Sequence, residues 1–127
     1  DAALAEIAKI ASLEILNLPQ GEFSDEGLAR LKALPNLIQL RFKSEQVTDA
    51  GMPTLAEFPA LVRLHLIDVP ISDAGLTALA GMEKLESLYI DGGSFSDAAV
   101  DELFAKRPQL HVHLNQEHHD RDPHKHP

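Results

Sequence analysis

The chain has 127 residues, 44% hydrophobic and 24% charged, the composition of one ordinary globular domain. A formal net charge of −9, with only 5% aromatic residues and no Trp, argues against a general nucleic-acid binder, which needs a basic surface and stacking rings. No Cys is present, which excludes disulfides and thiolate metal sites, and no apolar run is long enough to cross a bilayer.

Taken in order, the chain repeats a hexapeptide every 24 residues. It reads Phe23-Ser24-Asp25-Glu26-Gly27-Leu28, then Val47-Thr48-Asp49-Ala50-Gly51-Met52, then Ile71-Ser72-Asp73-Ala74-Gly75-Leu76. A degraded copy follows at Phe95-Ser96-Asp97-Ala98-Ala99-Val100, and Asp1 to Leu4 falls on the same beat. A strict period of this length is the mark of a stacked repeat architecture.

Aligned in rows, the residues after each hexapeptide form apolar columns. Leu4, Leu28, Met52, Leu76 and Val100 make one; Ile7, Leu31, Leu55, Leu79 and Leu103 the next; Ile10, Leu34, Phe58 and Met82 a third. Spacings of three predict one face of a short helix. Ser24, Thr48, Ser72 and Ser96 are placed to cap these helices through their hydroxyls, and the Asp after each cap suits the positive end of the helix dipole. Pro35, Pro59 and Gly81 predict helix ends, while Pro53 falls in a first turn, where its missing N–H is tolerated.

Strand-like columns follow: Leu13, Leu37, Leu61 and Leu85, then Leu16, Leu40, Leu64, Leu88 and Val112, then Leu18, Phe42, Leu66, Ile90 and Leu114. The last two alternate with polar residues, as in a strand with one buried face. Each row is therefore helix, turn, strand, loop. One row cannot bury its own apolar face, but stacked rows share a continuous core. The strict columns favour this over independent units in a doubly wound sheet. In the last row Lys106 and Gln109 stand where the others carry apolar residues, which predicts a C-terminal cap. The first row has no such substitution, so an upstream repeat, a cap or another chain is expected to cover that end. After Asn115 the pattern stops, and residues 116–127 form a polar, His-rich tail for which the composition predicts disorder.

Leu61-Val62-Arg63-Leu64-His65-Leu66 fits the LxxLxL core of the leucine-rich repeat, as do residues Leu37 to Phe42 and Leu85 to Ile90. With the hexapeptide as helix start, residues 1–115 resemble bacterial leucine-rich-repeat proteins of the ribonuclease-inhibitor-like class. The resemblance implies an α/β solenoid of about five 24-residue repeats, with a parallel sheet on the concave side and helices on the convex side. It also implies a non-catalytic protein-interaction scaffold whose partner binds the sheet. One departure concerns the loops. The family often places Asn or Cys three residues after the last Leu of the core, where this chain has Gly21, Glu45, Val69 and Gly93. The side-chain ladder that satisfies the loop backbone is therefore expected to be missing.

The outward residues of the strands sort into three columns. The first holds Ile15, Gln39, Arg63, Ser87 and His111; the second Asn17, Arg41, His65, Tyr89 and His113; the third Pro19, Lys43, Ile67, Asp91 and Asn115. Arg41, Lys43, Arg63, His65, Tyr89, His111 and His113 are the expected partner-binding residues, on a locally basic face of an acidic protein. An acidic protein segment is the expected partner, with no nucleic acid and no membrane span. Ser87 near His65 and His111 raises a Ser–His pair, but Asp91 stands in the wrong column to orient a His, and an open sheet offers no oxyanion hole. No catalysis is expected.

Six of the seven His residues lie beyond residue 110. His111 and His113, two apart on a strand, share a face and suit two imidazole ligands, with His118, His119, His124 and His126 as further candidates. No cofactor is otherwise implied. A zinc, copper or nickel module at this end is the alternative function, as the His-rich tract suggests. Titration with zinc and copper ions tests it: a site built this way binds more tightly than about millimolar and weakens on removal of residues 116–127.

Overall fold

The computed structural model describes residues 2–21 and 23–115. The predicted tail, with His118, His119, His124 and His126, lies outside the described residues. Strands β1 (Ile15–Gly21), β2 (Gln39–Ser44), β3 (Arg63–Ile67), β4 (Ser87–Asp91) and β5 (His111–Asn115) alternate with helices. They form one parallel sheet in chain order, β1-β2-β3-β4-β5. The helical segments are α1 (Ala2–Ile7), α2 (Asp25–Arg30), α3 (Met52–Leu55), α4 (Asp73–Ala80) and α5 (Asp97–Lys106). Short 3-10 turns extend α2 through Leu31–Ala33 and precede α3 at Asp49–Gly51.

The apolar columns become the core. Leu28, Met52, Leu76 and Val100 are buried from the helices, and Leu40, Leu64, Leu88 and Val112 from the strands. The hexapeptide's first residue joins them as Phe23, Val47, Ile71 and Phe95. The first row is less well covered: Ile10 is 49% exposed, and Ile7, Leu13 and Leu18 only pack against the core margin. At the other end Lys106 and Gln109 are exposed, as expected of a cap. The closing contact comes from Arg107, whose guanidinium donates to the carbonyls of Met82 and Leu85, the latter at 2.8 Å. The Met82 carbonyl also accepts from the Leu85 N–H within its own turn, at 3.1 Å.

The strand register keeps the 24-residue step. Gln39, Arg63, Ser87 and His111 stand side by side, as do Arg41, His65, Tyr89 and His113. The third column departs at its start. β1 pairs with β2 in register through Leu18 and then shifts before Gly21 meets Ser44. Pro19 has no N–H to give the ladder, so Pro19 and Lys43 are not partners.

Helix starts differ from the expectation in an informative way. Only Thr48 and Ser96 accept a capping bond, from the N–H groups of Ala50 (3.2 Å) and Ala99 (3.1 Å). Ser24 and Ser72 make no such bond. The Asp side chains turn sideways to the following row. Asp25 accepts from the Thr48 N–H (2.8 Å) and hydroxyl (2.6 Å). Asp49 does the same with Ser72 at 2.7 and 2.6 Å, and Asp73 with Ser96 at 2.8 Å for both. The expected absence of a loop ladder is therefore corrected. A ladder exists, displaced from the usual Asn position to the hexapeptide Asp. The buried Ser44 adds to it in one row, donating to the Phe23 carbonyl and accepting from the N–H groups of Gln46 and Val47.

The ladder also explains the glycine of the hexapeptide. A Cβ on Gly51 would lie 2.4 Å from Asp25 Oδ1, and one on Gly75 would lie 2.5 Å from Asp49 Oδ1. The Gly leaves room for the previous row's carboxylate. Gly51→Ala is therefore expected to cost about 1–3 kcal/mol, as overpacking does. In an Asp25→Ala background the cost should fall toward zero, a coupling that chemical denaturation of the four variants measures. Asp73 generates a second prediction. Its bonds from the Ser96 N–H and hydroxyl hold its pKa below the usual 3.8. A depressed folded-state pKa stabilises above the unfolded value and loses that share as pH falls through the folded value. Asp73→Asn should therefore flatten the loss of stability below about pH 4, read from denaturation midpoints across pH.

Candidate functional site

The sheet face carries the residues that the strand phase points outward. Because parallel strands lie about 4.8 Å apart, each column is a lateral ladder. Two of its members are oriented by their own column neighbours. The Arg41 guanidinium donates to Asn17 Oδ1 (3.1 Å), and the Arg63 Nε–H donates to Gln39 Oε1 (3.0 Å). Both partners are neutral amides. Neither Arg41 nor Arg63 has a carboxylate partner among the described residues. Lys43 differs: it pairs with Asp68 at 3.5 Å, with both groups about half exposed. Such a pair contributes little stability, but it spends the charge of Lys43 locally.

Toward β5 the face becomes aromatic. Tyr89 is surrounded by three imidazoles, with ring centroids 5.5 Å from His65, 5.4 Å from His111 and 5.3 Å from His113. The His113 ring is stacked, at 22° to the phenol. The Tyr89 hydroxyl is hydrogen-bonded to His111 Nε2 at 2.9 Å. Such contacts fix ring orientation and give a rigid, amphipathic patch.

His65 corrects one expectation. Asp91 reaches its Nε2 at 2.7 Å, although the two stand in different columns. The diagonal between neighbouring strands is short enough for these side chains. An ionised carboxylate only accepts, so Nε2 carries the hydrogen. The pair is part-buried. Ser87 stands between Arg63 and His111 in the first column, while the His65 and His111 Nε2 atoms are bonded to Asp91 and Tyr89.

Between the two ladders lies a cup of about 220 Å³ lined by Gln39, Arg41, Arg63, Leu64, His65, Ser87 and Tyr89. Of the residues expected to bind a partner, Arg41, Arg63, His65 and Tyr89 line this cup. His111 and His113 flank it beyond Tyr89, and Lys43 is held aside by Asp68. Gln39 and Asn17 are not among the site residues that the sequence points to, and Ser87 is raised there only for a Ser–His pair. Their signal was present, since Asn17 with Arg41 and Gln39 with Arg63 share columns one row apart. For the metal alternative, His111 and His113 do share the outer face with Tyr89 between rows. No group of three or more His, Asp or Glu side chains suited to a metal occurs among the described residues.

Comparison with known proteins gives the fold. No protein-family model and no curated protein matches the chain. Among solved structures, the actin-binding site 2 of leiomodin-1 is similar with a TM-score of 0.72 at 14% identity, covering 91% of this chain and 79% of that one. The fold is a leucine-rich-repeat solenoid. An internalin from Listeria monocytogenes is also similar, with a TM-score of 0.50 at 17% identity. That match covers 88% of this chain and 46% of the internalin. At these identities the likeness concerns the path of the chain, and the solenoid's sheet face is the surface to which its outward side chains belong.

Proposed function

We propose that this leucine-rich-repeat chain is a non-catalytic scaffold that binds another protein across its concave sheet face. The observation that carries the reading is the pair Arg41 and Arg63. Each is oriented by a neutral amide and lacks a carboxylate partner among the described residues, in a chain whose net charge is −9. With twenty acidic residues in the chain, carboxylate partners for a surface Arg are plentiful. Keeping two guanidiniums open on one face of an acidic protein suits an acidic partner segment, which the local field would steer. Tyr89, with His65, His111 and His113 around it, supplies the adjoining rigid contact area typical of binding hot spots. Lys43 joins as a rim contact once Asp68 releases it. Protein binding also accords with the leiomodin structure, an actin-binding site by its description. The hexapeptide and the 24-residue period support membership of the bacterial, ribonuclease-inhibitor-like class of repeats.

The test uses a fluorescein-labelled Glu-rich peptide and fluorescence anisotropy at low salt. Paired Arg41→Glu and Arg63→Glu substitutions should weaken binding by at least about tenfold while leaving the circular dichroism spectrum unchanged. Equal affinity of the folded double variant would sink the reading.

A further inference from the structure

The cup between the first two outward columns has a charge and a size that select among acidic ligands. Arg41 and Arg63 stand on adjacent strands, offset by one row and two residues, and both line it. Gln39 holds Arg63 by its Nε–H, and Asn17 holds Arg41 by one terminal N–H. A guanidinium has five N–H donors, so each retains several for a ligand. Asp91 is the one acid in the three outward columns, and its carboxylate is turned onto His65 at 2.7 Å. The cup therefore holds two positive charges with no internal counter-charge among the described residues. The strand at Leu64, whose side chain is buried in the core behind it, passes under the cup, and Ser87 and Tyr89 add a hydroxyl and a ring.

We infer that this cup receives a phosphorylated Ser or Thr side chain of the partner protein, an inference that rests on the sheet face being the partner surface. A carboxylate brings one negative charge and leaves the second guanidinium unmatched. A phosphoryl group brings between one and a half and two, with three acceptor oxygens, about the charge the pair presents. Guanidinium and phosphate also meet in bidentate fashion, which carbon-stem carboxylates satisfy at only one Arg at a time. A volume of about 220 Å³ equals roughly seven waters at about 30 Å³ each, enough for a phosphoryl group and its short aliphatic stem. The stem packs on the Tyr89 ring. The rest of the chain excludes the polyanionic sources of the same group. Twenty acidic against eleven basic side chains repel a nucleic acid or an anionic membrane, while one isolated phosphoryl group meets only the local pair.

The experiment compares one Glu-rich peptide in three versions, with a central Ser, Glu or phosphoserine, against the intact chain. The phosphoserine peptide should bind at least about tenfold more tightly than the Glu version. Arg41→Gln and Arg63→Gln, tested singly, should bring the two within about twofold while weaker binding of all three peptides persists. Free O-phosphoserine, followed by the side-chain N–H signals of Arg41 and Arg63 in a nitrogen-edited NMR titration, should shift both, and glutamate at equal concentration should not. Equal affinity for the Glu and phosphoserine peptides, with loss of both in the charge-reversed double variant, would overturn the phosphoryl cup and leave the scaffold reading standing. No binding by any version would overturn both. A phosphoserine preference that survives both single substitutions would place the anion elsewhere and likewise refute the cup.

Discussion

The carboxylates of Asp25, Asp49 and Asp73 each accept two hydrogen bonds from the row that follows, one from a backbone N–H and one from a hydroxyl. Much else in the molecule is arranged around that contact. It fixes where each helix begins relative to its predecessor, and so sets the step between rows. The step in turn aligns the apolar columns into one core. It also requires a residue without a side chain two positions after the Asp, because the incoming carboxylate occupies the space of a Cβ. The last row shows the limit of this rule. Ala99 replaces Gly there, and the backbone at Ser96 moves to φ −76°, against −123° at Ser72, while its bonds to Asp73 persist.

The repeat makes the architecture readable in the sequence itself. Leu40, Leu64 and Leu88 sit in one column because they do one job, and period alone assigns it. The strand phase likewise placed Arg41, His65 and Tyr89 side by side, as the register has them. Direction within a turn was less legible. Ser-Asp before a helix reads as a cap with a dipole-matched acid, because within one row those are the available partners. The actual partner of each Asp lies 23 residues away, and nothing in a single row points to it. Pro19 was visible as a residue without an N–H, yet the slip it causes in β1 depends on where the neighbouring strand ends. The Asp91–His65 bond was hidden for a related reason: columns describe lateral neighbours, and this contact is diagonal.

The outer face shows how a repeat protein separates stability from recognition. Core columns tolerate little variation, since every row must fit its neighbours. The outward columns alternate with them and vary freely, from Gln39 to Arg63 to Ser87 in adjacent strands. Neutral amides then set the rotamers of the charged residues without cancelling their charge. That is a different use of a polar neighbour from the Lys43–Asp68 pair, in which the two charges offset one another.

Because each Asp serves the next row and each Gly makes room for the previous one, the unit of change in this chain is a whole row. A duplication or loss of 24 residues reconnects every Asp to a Ser or Thr and every Gly to a carboxylate. A shorter insertion within a turn breaks both partnerships at once and shifts the sheet register with them. The length of such a chain is thus quantised: lineages can lengthen or shorten it in full steps, carrying a new set of outward side chains with each, while the junctions that hold the rows stay the same.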